Sequence, residues 1–172
     1  RTSPSFSSAA SGGYKRQDDY GAGTSSAAVT GNYDIAVGNY ALDAITTGAS
    51  NIAIGHLAGT AFINANNNIA IGHQALEAED VSAGNVAIGY QALKVQNTNN
   101  SNNVAVGYQS ALNLNGGTDS VYVGYLAGGV GVITGDGNVA IGKGAALNAT
   151  STDYSVYVGF SAGGAGVITG NS

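Results

Sequence analysis

Along most of this chain, apolar residues alternate with a period of two over only three positions, stop at a glycine, and start again 17 or 18 residues later. The recurring unit is Asn-Val/Ile-Ala-Val/Ile-Gly, with its glycine at Gly38, Gly55, Gly72, Gly89, Gly107, Gly124, Gly142 and Gly159. Three residues before the glycine stand Ile35, Ile52, Ile69, Val86, Val104, Val121, Val139 and Val156. One residue before it stand Val37, Ile54, Ile71, Ile88, Val106, Val123, Ile141 and Val158. Both columns are β-branched throughout and two positions apart, so they share one face of a short strand. Ala36, Ala53, Ala70, Ala87, Ala105, Tyr122, Ala140 and Tyr157 lie between them and face the other way.

A strand, a glycine bend and a small-residue column (Ala41, Ala58, Ala75, Ala92, Ser110, Ala127, Ala145, Ala162) make one coil of a repeat structure. The fold class this predicts is all-β: a parallel β-solenoid, or β-roll, of eight coils of 17–18 residues over 34–172. Each coil opens on Asp34, Asn51, Asn68, Asn85, Asn103, Ser120, Asn138 or Ser155. These side chains bond local backbone in tight turns, and stacked Asn residues can form an amide ladder along the axis. Asn103–Gly137 and Asn138–Ser172 align over 35 residues, as expected of a duplicated pair of coils in a modular array.

Such a rod has a thin core, because eight coils at ~4.8 Å spacing make a body of only roughly 40 Å. Its strands are apolar on both faces, which is the pattern of strands buried on both faces. One face is expected to fill the coil. The other, the column Ala36, Ala53, Ala70, Ala87, Ala105, Tyr122, Ala140 and Tyr157, is expected to pack laterally against further copies, most simply as a homotrimer.

Composition narrows the function classes. The 172 residues carry a net charge of −5 with only 9% charged residues, which gives no basic face for nucleic acid. Apolar runs are short and broken by Gly and Asn, so no membrane insertion is expected. With no Cys there is no disulfide and no thiolate chemistry. The chain begins at Arg1 and is expected to be processed or to be a piece of a longer protein.

Residues 1–33 differ, being rich in Ser, Gly, Ala and Thr around Tyr14–Tyr20. They are expected to serve as an attachment arm, gripping a larger assembly or a neighbouring subunit, or as an N-terminal cap folded over the first coil.

Candidate chemistry is sparse. His56 and His73 share the column after the glycine, which continues as Tyr90, Tyr108, Tyr125, Lys143 and Phe160. His56, His73, Tyr90, Tyr108, Tyr125 and Phe160 form a candidate ligand-contact ladder, whose rings either stack on one another or meet sugar rings. No carboxylate shares the two His positions to complete a metal site or an acid–base set. Asp136 lies in Thr-Gly-Asp-Gly-Asn, but the calcium-binding nonapeptide does not recur, and Glu77, Glu79 and Asp80 read as a solvated acidic turn. No catalytic, metal or cofactor site is expected, and no enzyme.

The segment Asn85–Leu93, Asn-Val-Ala-Ile-Gly-Tyr-Gln-Ala-Leu, with its counterparts at Asn51–Ala58, Asn68–Leu76 and Asn103–Ala111, resembles two groups. One is the β-roll head of trimeric autotransporter adhesins. The other is the Tyr-Gln-Ala-Leu repeat of phage and other viral tail-fibre proteins. The longer coil and the Tyr-Gln-Ala-Leu extension bring the chain closer to the second group. The resemblance covers Asp34–Ser172 and implies a homotrimeric fibre or adhesin on a virion, an extracellular surface or a cell surface, with host glycan as a candidate partner. It also suggests that the Asn171-Ser172 end arises by self-cleavage of a C-terminal chaperone, the alternatives being a truncation or an array that continues into another subunit. The alternative function is a cell-surface adhesin or a homopolymeric extracellular filament, with the arm linking subunits.

Overall fold

The computed structural model describes residues 14–15, 33–78, 81–95, 101–129, 131–164 and 168–169. It is an all-β parallel β-solenoid. The short arm strand β1 (Tyr14–Lys15) is followed by β2 (Ile35–Val37), β3 (Ile52–Ile54), β4 (Ile69–Ile71), β5 (Val86–Ile88) and β6 (Val104–Val106). Then come β7 (Val121–Val123), β8 (Val139–Ile141), β9 (Ala149–Ser151), β10 (Val156–Val158) and β11 (Ile168–Thr169). One parallel sheet runs β1-β2-β3-β4-β5-β6-β7-β8-β10, and a second pair, β11-β9, lies on the return leg.

Register is strict from β2 to β10: Ile35, Ile52, Ile69, Val86, Val104, Val121, Val139 and Val156 stand one above another. These eight strands enclose about seven turns, rather than the eight complete coils expected from the count of glycines. Tyr14 and Lys15 pair with Ile35 and Ala36 and so extend the sheet below the first repeat. Residues 1–13 and 16–32 of the arm, the Glu79-Asp80 part of the acidic turn and the Asn171-Ser172 end lie outside the described residues.

The glycine column sets the tight stacking. Its φ angles lie between 125° and 137°, which L side chains rarely adopt. Each of these glycines except Gly159 also has the next coil's backbone directly above it: a methyl group on Gly38 would meet the Gly55 carbonyl oxygen at 2.6 Å. Two residues after each glycine the chain turns left-handed, as at Gln74 (φ 57°) and Gln91 (φ 54°). Two residues later it does so again, even at the leucines Leu42, Leu76 and Leu93. A bulky residue resists that conformation, and the gain from burying these side chains completely holds it.

The strand faces are the reverse of the expected assignment. Ala53, Ala70, Ala87, Ala105 and Ala140 are 0% exposed, and Ala36 and Tyr122 nearly so, within a single chain. They line the coil interior, so the Ala/Tyr column is not an oligomer face. Tyr157 is partly buried and packs on the same core. The Val/Ile columns point outward: Ile54 is 38% exposed, Ile88 37% and Ile141 41%. The physical reason is the bore of the coil. Its strand centre faces a second small-residue column (Ala58, Ala75, Ala92, Ala127) across a narrow lumen, which two rows of β-branched side chains would overfill.

In several coils one residue of that lumen compensates for the volume of another. Ala70 and Ala87 accompany Leu76 and Leu93. Where Tyr122 replaces the alanine, Gly128 replaces the leucine, because a Cβ there would lie 2.7 Å from Tyr122 Cε1. Gly59 likewise makes room for Phe62, whose ring would be 3.0 Å from an added Cβ.

Gly89→Ala is expected to cost roughly 2–4 kcal/mol of stability, combining backbone strain with a clash against the Gly107 carbonyl. Gly159→Ala shares the φ of 126° but has nothing within 4 Å, so it carries the strain alone. Chemical denaturation of both variants checks this; equal losses would refute the inter-coil clash.

Burial pushes the Tyr122 phenol up to about 12, an effect tempered by the neighbouring Ser120 and Asn138 side chains. Between the ordinary tyrosine value of 10.0 and about 12, the unfolded chain has lost this proton while the folded chain keeps it. Tyr122 is therefore expected to withdraw up to about 3 kcal/mol of stability as pH rises through that window. Melting curves from pH 9 to 12 are expected to fall more steeply for the native chain than for Tyr122→Phe.

Candidate functional site

Several lines of side chains run along the rod, each from a fixed position of the repeat. The first is internal. Asn51, Asn68, Asn85 and Asn103 are completely buried at the strand entries. The Asn68 Oδ1 accepts the backbone N–H of Asn85 at 2.8 Å, the Asn85 Oδ1 that of Asn103 at 2.9 Å, and the Asn103 Oδ1 that of Ser120 at 3.0 Å. The Asn68 Nδ2 donates to the Ser82 carbonyl at 2.8 Å, closing the far side of its own coil. Asp34 begins the ladder by accepting the Asn51 N–H at 2.8 Å, and Ser120 Oγ accepts that of Asn138 at 2.9 Å.

The serines also bond local backbone, as Ser120 Oγ does to the Thr118 carbonyl at 3.0 Å, whereas the asparagines mainly join coil to coil. A second polar line at the neighbouring corner has the opposite polarity. There Asp136 Oδ1 accepts the Thr118 N–H at 2.7 Å from the coil below, and Asp153 Oδ1 accepts the Asp136 N–H at 3.0 Å. Asp136 is thus part of the stacking.

Further lines are on the surface. His56 and His73 stack with ring centroids 5.1 Å apart, His73 and Tyr90 at 5.3 Å, Tyr90 and Tyr108 at 5.0 Å, and Tyr108 and Tyr125 at 5.2 Å. Lys143 replaces a ring in the next coil and sets its Nζ 5.6 Å from the Tyr125 centroid and 5.8 Å from that of Phe160. A cation between two aromatic faces continues the column where the stack would otherwise break. Tyr40, absent from the column by sequence, meets His56 edge-on at 6.1 Å. Only its place two residues after Gly38 hid it, since Asn39 occupies the expected position.

Beside the rings, Gln74, Gln91 and Gln109 form an amide ladder with Nε2–Oε1 distances of 2.7 Å. Its signal, Gln at one column of three successive coils, is visible in the sequence. Glu77 accepts from Gln74 Nε2 at 3.0 Å and pairs with Lys94 at 3.3 Å, so this part of the acidic turn is anchored rather than merely solvated.

The geometry decides what the ring column offers. Interplanar angles of 9–11° from His73 to Tyr125 mean that each ring covers its neighbours' faces. What faces outward is a row of ring rims carrying imidazole nitrogens and phenol hydroxyls, so sugar stacking on open ring faces is confined to the ends. The two imidazoles lie face to face instead of converging on one point. Among the described residues, no group of three or more His, Cys, Asp or Glu side chains is arranged to hold a metal ion.

The Val/Ile columns form the broadest surface feature: two unbroken rows of half-exposed β-branched side chains from β2 to β8, with greater exposure at β10 (Val156 69%, Val158 65%). No charged residue interrupts either row. Among the described residues no helix is long and apolar enough to cross a membrane. No family model, curated protein or solved structure matches the chain, and its class is defined by the fold alone, a parallel β-solenoid with ladder-lined faces.

Asn68→Ala leaves the Asn85 N–H and the Ser82 carbonyl without their buried partners, and is expected to cost roughly 2–4 kcal/mol. A Gln74→Ala change at the half-buried surface ladder is expected to cost under about 1 kcal/mol. Urea melts of the two variants check the difference, and equal effects would refute the internal ladder's role.

Proposed function

We propose that this chain is part of a trimeric fibre, structural and adhesive rather than enzymatic, that stands on a virion or an extracellular surface and mediates attachment. The observation that carries this reading is the outward Val/Ile face. A single chain already closes its own core with Ala, Leu and Tyr, so two rows of β-branched residues remain partly exposed along the rod. A contiguous apolar strip of that extent on a soluble body marks an interaction surface. An identical strip on further copies is its simplest complement, since the rows carry no charge to repel one another. The resemblance of Asn85–Leu93 to the viral tail-fibre repeat supports the fibre reading, and the absence of charge from the two rows suits a three-chain bundle.

In this reading, residues 1–33 attach the fibre to a virion component or a neighbouring subunit. Host glycan is met by the rims of His56, His73, Tyr90, Tyr108 and Tyr125, through hydrogen bonds rather than ring-face stacking. A second reading, a homopolymeric filament or cell-surface adhesin, draws on β10. Among the described residues its outer edge pairs with nothing, and such an edge accepts another strand.

Light scattering with negative-stain imaging on the purified chain tests both. Three chains per particle is the expected mass, with Ile71→Lys and Ile88→Lys together giving monomers that keep their β-sheet circular dichroism. Filaments with a regular axial repeat would favour the second reading. A native chain that stays monomeric at micromolar concentration would overturn the first.

A further inference from the structure

We propose that Tyr90, Tyr108 and Tyr125 form an oxidative cross-linking site, at which a one-electron oxidant joins successive coils through dityrosine bonds. The three residues follow the glycine in three consecutive coils. Their ring centroids lie 5.0 Å apart from Tyr90 to Tyr108 and 5.2 Å apart from Tyr108 to Tyr125, with planes 11° and 10° from parallel. Each side chain is exposed (40%, 43% and 48%), so an oxidant in solution or held by an enzyme reaches the phenol rims.

The fold keeps these phenols adjacent. The Tyr90 carbonyl accepts the Gln109 N–H at 2.8 Å, and the Tyr108 carbonyl accepts the Leu126 N–H at 3.0 Å. Beside the rings, Gln109 Nε2 donates to Gln91 Oε1 at 2.7 Å and holds the same two coils together. Two groups fixed as neighbours react as though at very high local concentration.

The chemistry balances with one peroxide. Each of two phenols gives an electron and a proton to the oxidant and becomes a phenoxyl radical, with spin density on the carbons ortho to oxygen. A turn of both rings about their Cβ–Cγ bonds exchanges the stack for an edge-to-edge pair. The facing ortho carbons then form the new C–C bond. The hydrogens on those carbons shift to the oxygens and restore two phenols. One hydrogen peroxide, used by a haem peroxidase, takes up the two electrons and two protons and leaves as two waters.

Adjacency and exposure select different tyrosines. Tyr33 and Tyr154 are more exposed, at 74% and 76%, yet among the described residues no ring stacks on either. Tyr122 is buried, and Lys143 ends the run of phenols beyond Tyr125. A Tyr90–Tyr108 bond closes a loop of one coil. It restricts the unfolded chain as a disulfide across a similar loop would, and so staples the rod from outside. The inference concerns the ladder's chemistry and stands apart from any fibre role.

The test treats the purified full chain with hydrogen peroxide and a haem peroxidase, then maps it with trypsin. Cleavage after Arg16, Lys94 and Lys143 puts Tyr90 in Gln17–Lys94, and Tyr108 and Tyr125 in Val95–Lys143. The expected product joins those two peptides through Tyr90 and Tyr108 with the loss of two hydrogens, and shows dityrosine fluorescence. It is expected to melt about 5 °C higher than the untreated chain. Tyr108→Phe keeps a ring in the stack but removes the shared phenol, and is expected to abolish the bond. Chain unfolded in urea before oxidation is expected to give at least about tenfold less of it. Products linked through Tyr33 or Tyr154 in place of the ladder would overturn the proposal. So would the same yield from folded and unfolded chain, or no dityrosine at all. If Tyr108→Phe does not fold, the peptide map of the native chain decides alone.

Discussion

Every feature of this molecule depends on one coil handing its hydrogen bonds to the next in register. The strands are only two or three residues long, too short to hold a sheet by themselves, and the coil is too thin to bury a large core. Register is therefore enforced several times over: by the parallel backbone ladder, by the buried asparagine at each strand entry, and by the oppositely directed Asx line at the neighbouring corner. The glycine column permits this closeness, because the carbonyl of the next coil occupies the place of a side chain. Any one of these devices used alone would leave polar backbone unmet between coils, which an interior of alanine and leucine cannot tolerate.

Given that register, the interior becomes a problem of volume. A bore of fixed width takes Ala with Leu, Gly with Phe62, or Tyr122 with Gly128, and the repeat swaps among these solutions without altering its outline. The surface inherits the same periodicity, so that like residues stack into rows. Rings at one position become a column whose faces are already occupied, and amides at the next become a hydrogen-bonded line. β-Branched residues at two others become a flat apolar strip. A linear surface of this kind suits contacts along an axis better than capture of a compact ligand, which is why the fibre reading rests on the strip and not on a pocket.

Much of this was legible in the sequence. The 17- and 18-residue spacing of eight glycines, the paired Val/Ile columns and the Asn column lead directly to a parallel solenoid, because only stacked coils bring residues at that spacing together. The stacking of His56, His73, Tyr90, Tyr108 and Tyr125 follows from the same arithmetic. The pairing of Tyr122 with Gly128 was found only in the structure, although the same sequence pattern recurs at Tyr157 and Gly163.

Other features were settled only by the closed coil. Alternation states which residues share a face but not which face is inside, since both are apolar; the narrow lumen chose alanine and turned valine and isoleucine outward. Column position brought the aromatic residues together, but whether they present faces or rims depends on side-chain torsions fixed by neighbours above and below. Tyr40 joined the stack from a different column, through a local turn. The small space beside Tyr122 arises from packing between coils, where sequence periodicity sets the spacing and the fit of side chains decides what remains unfilled.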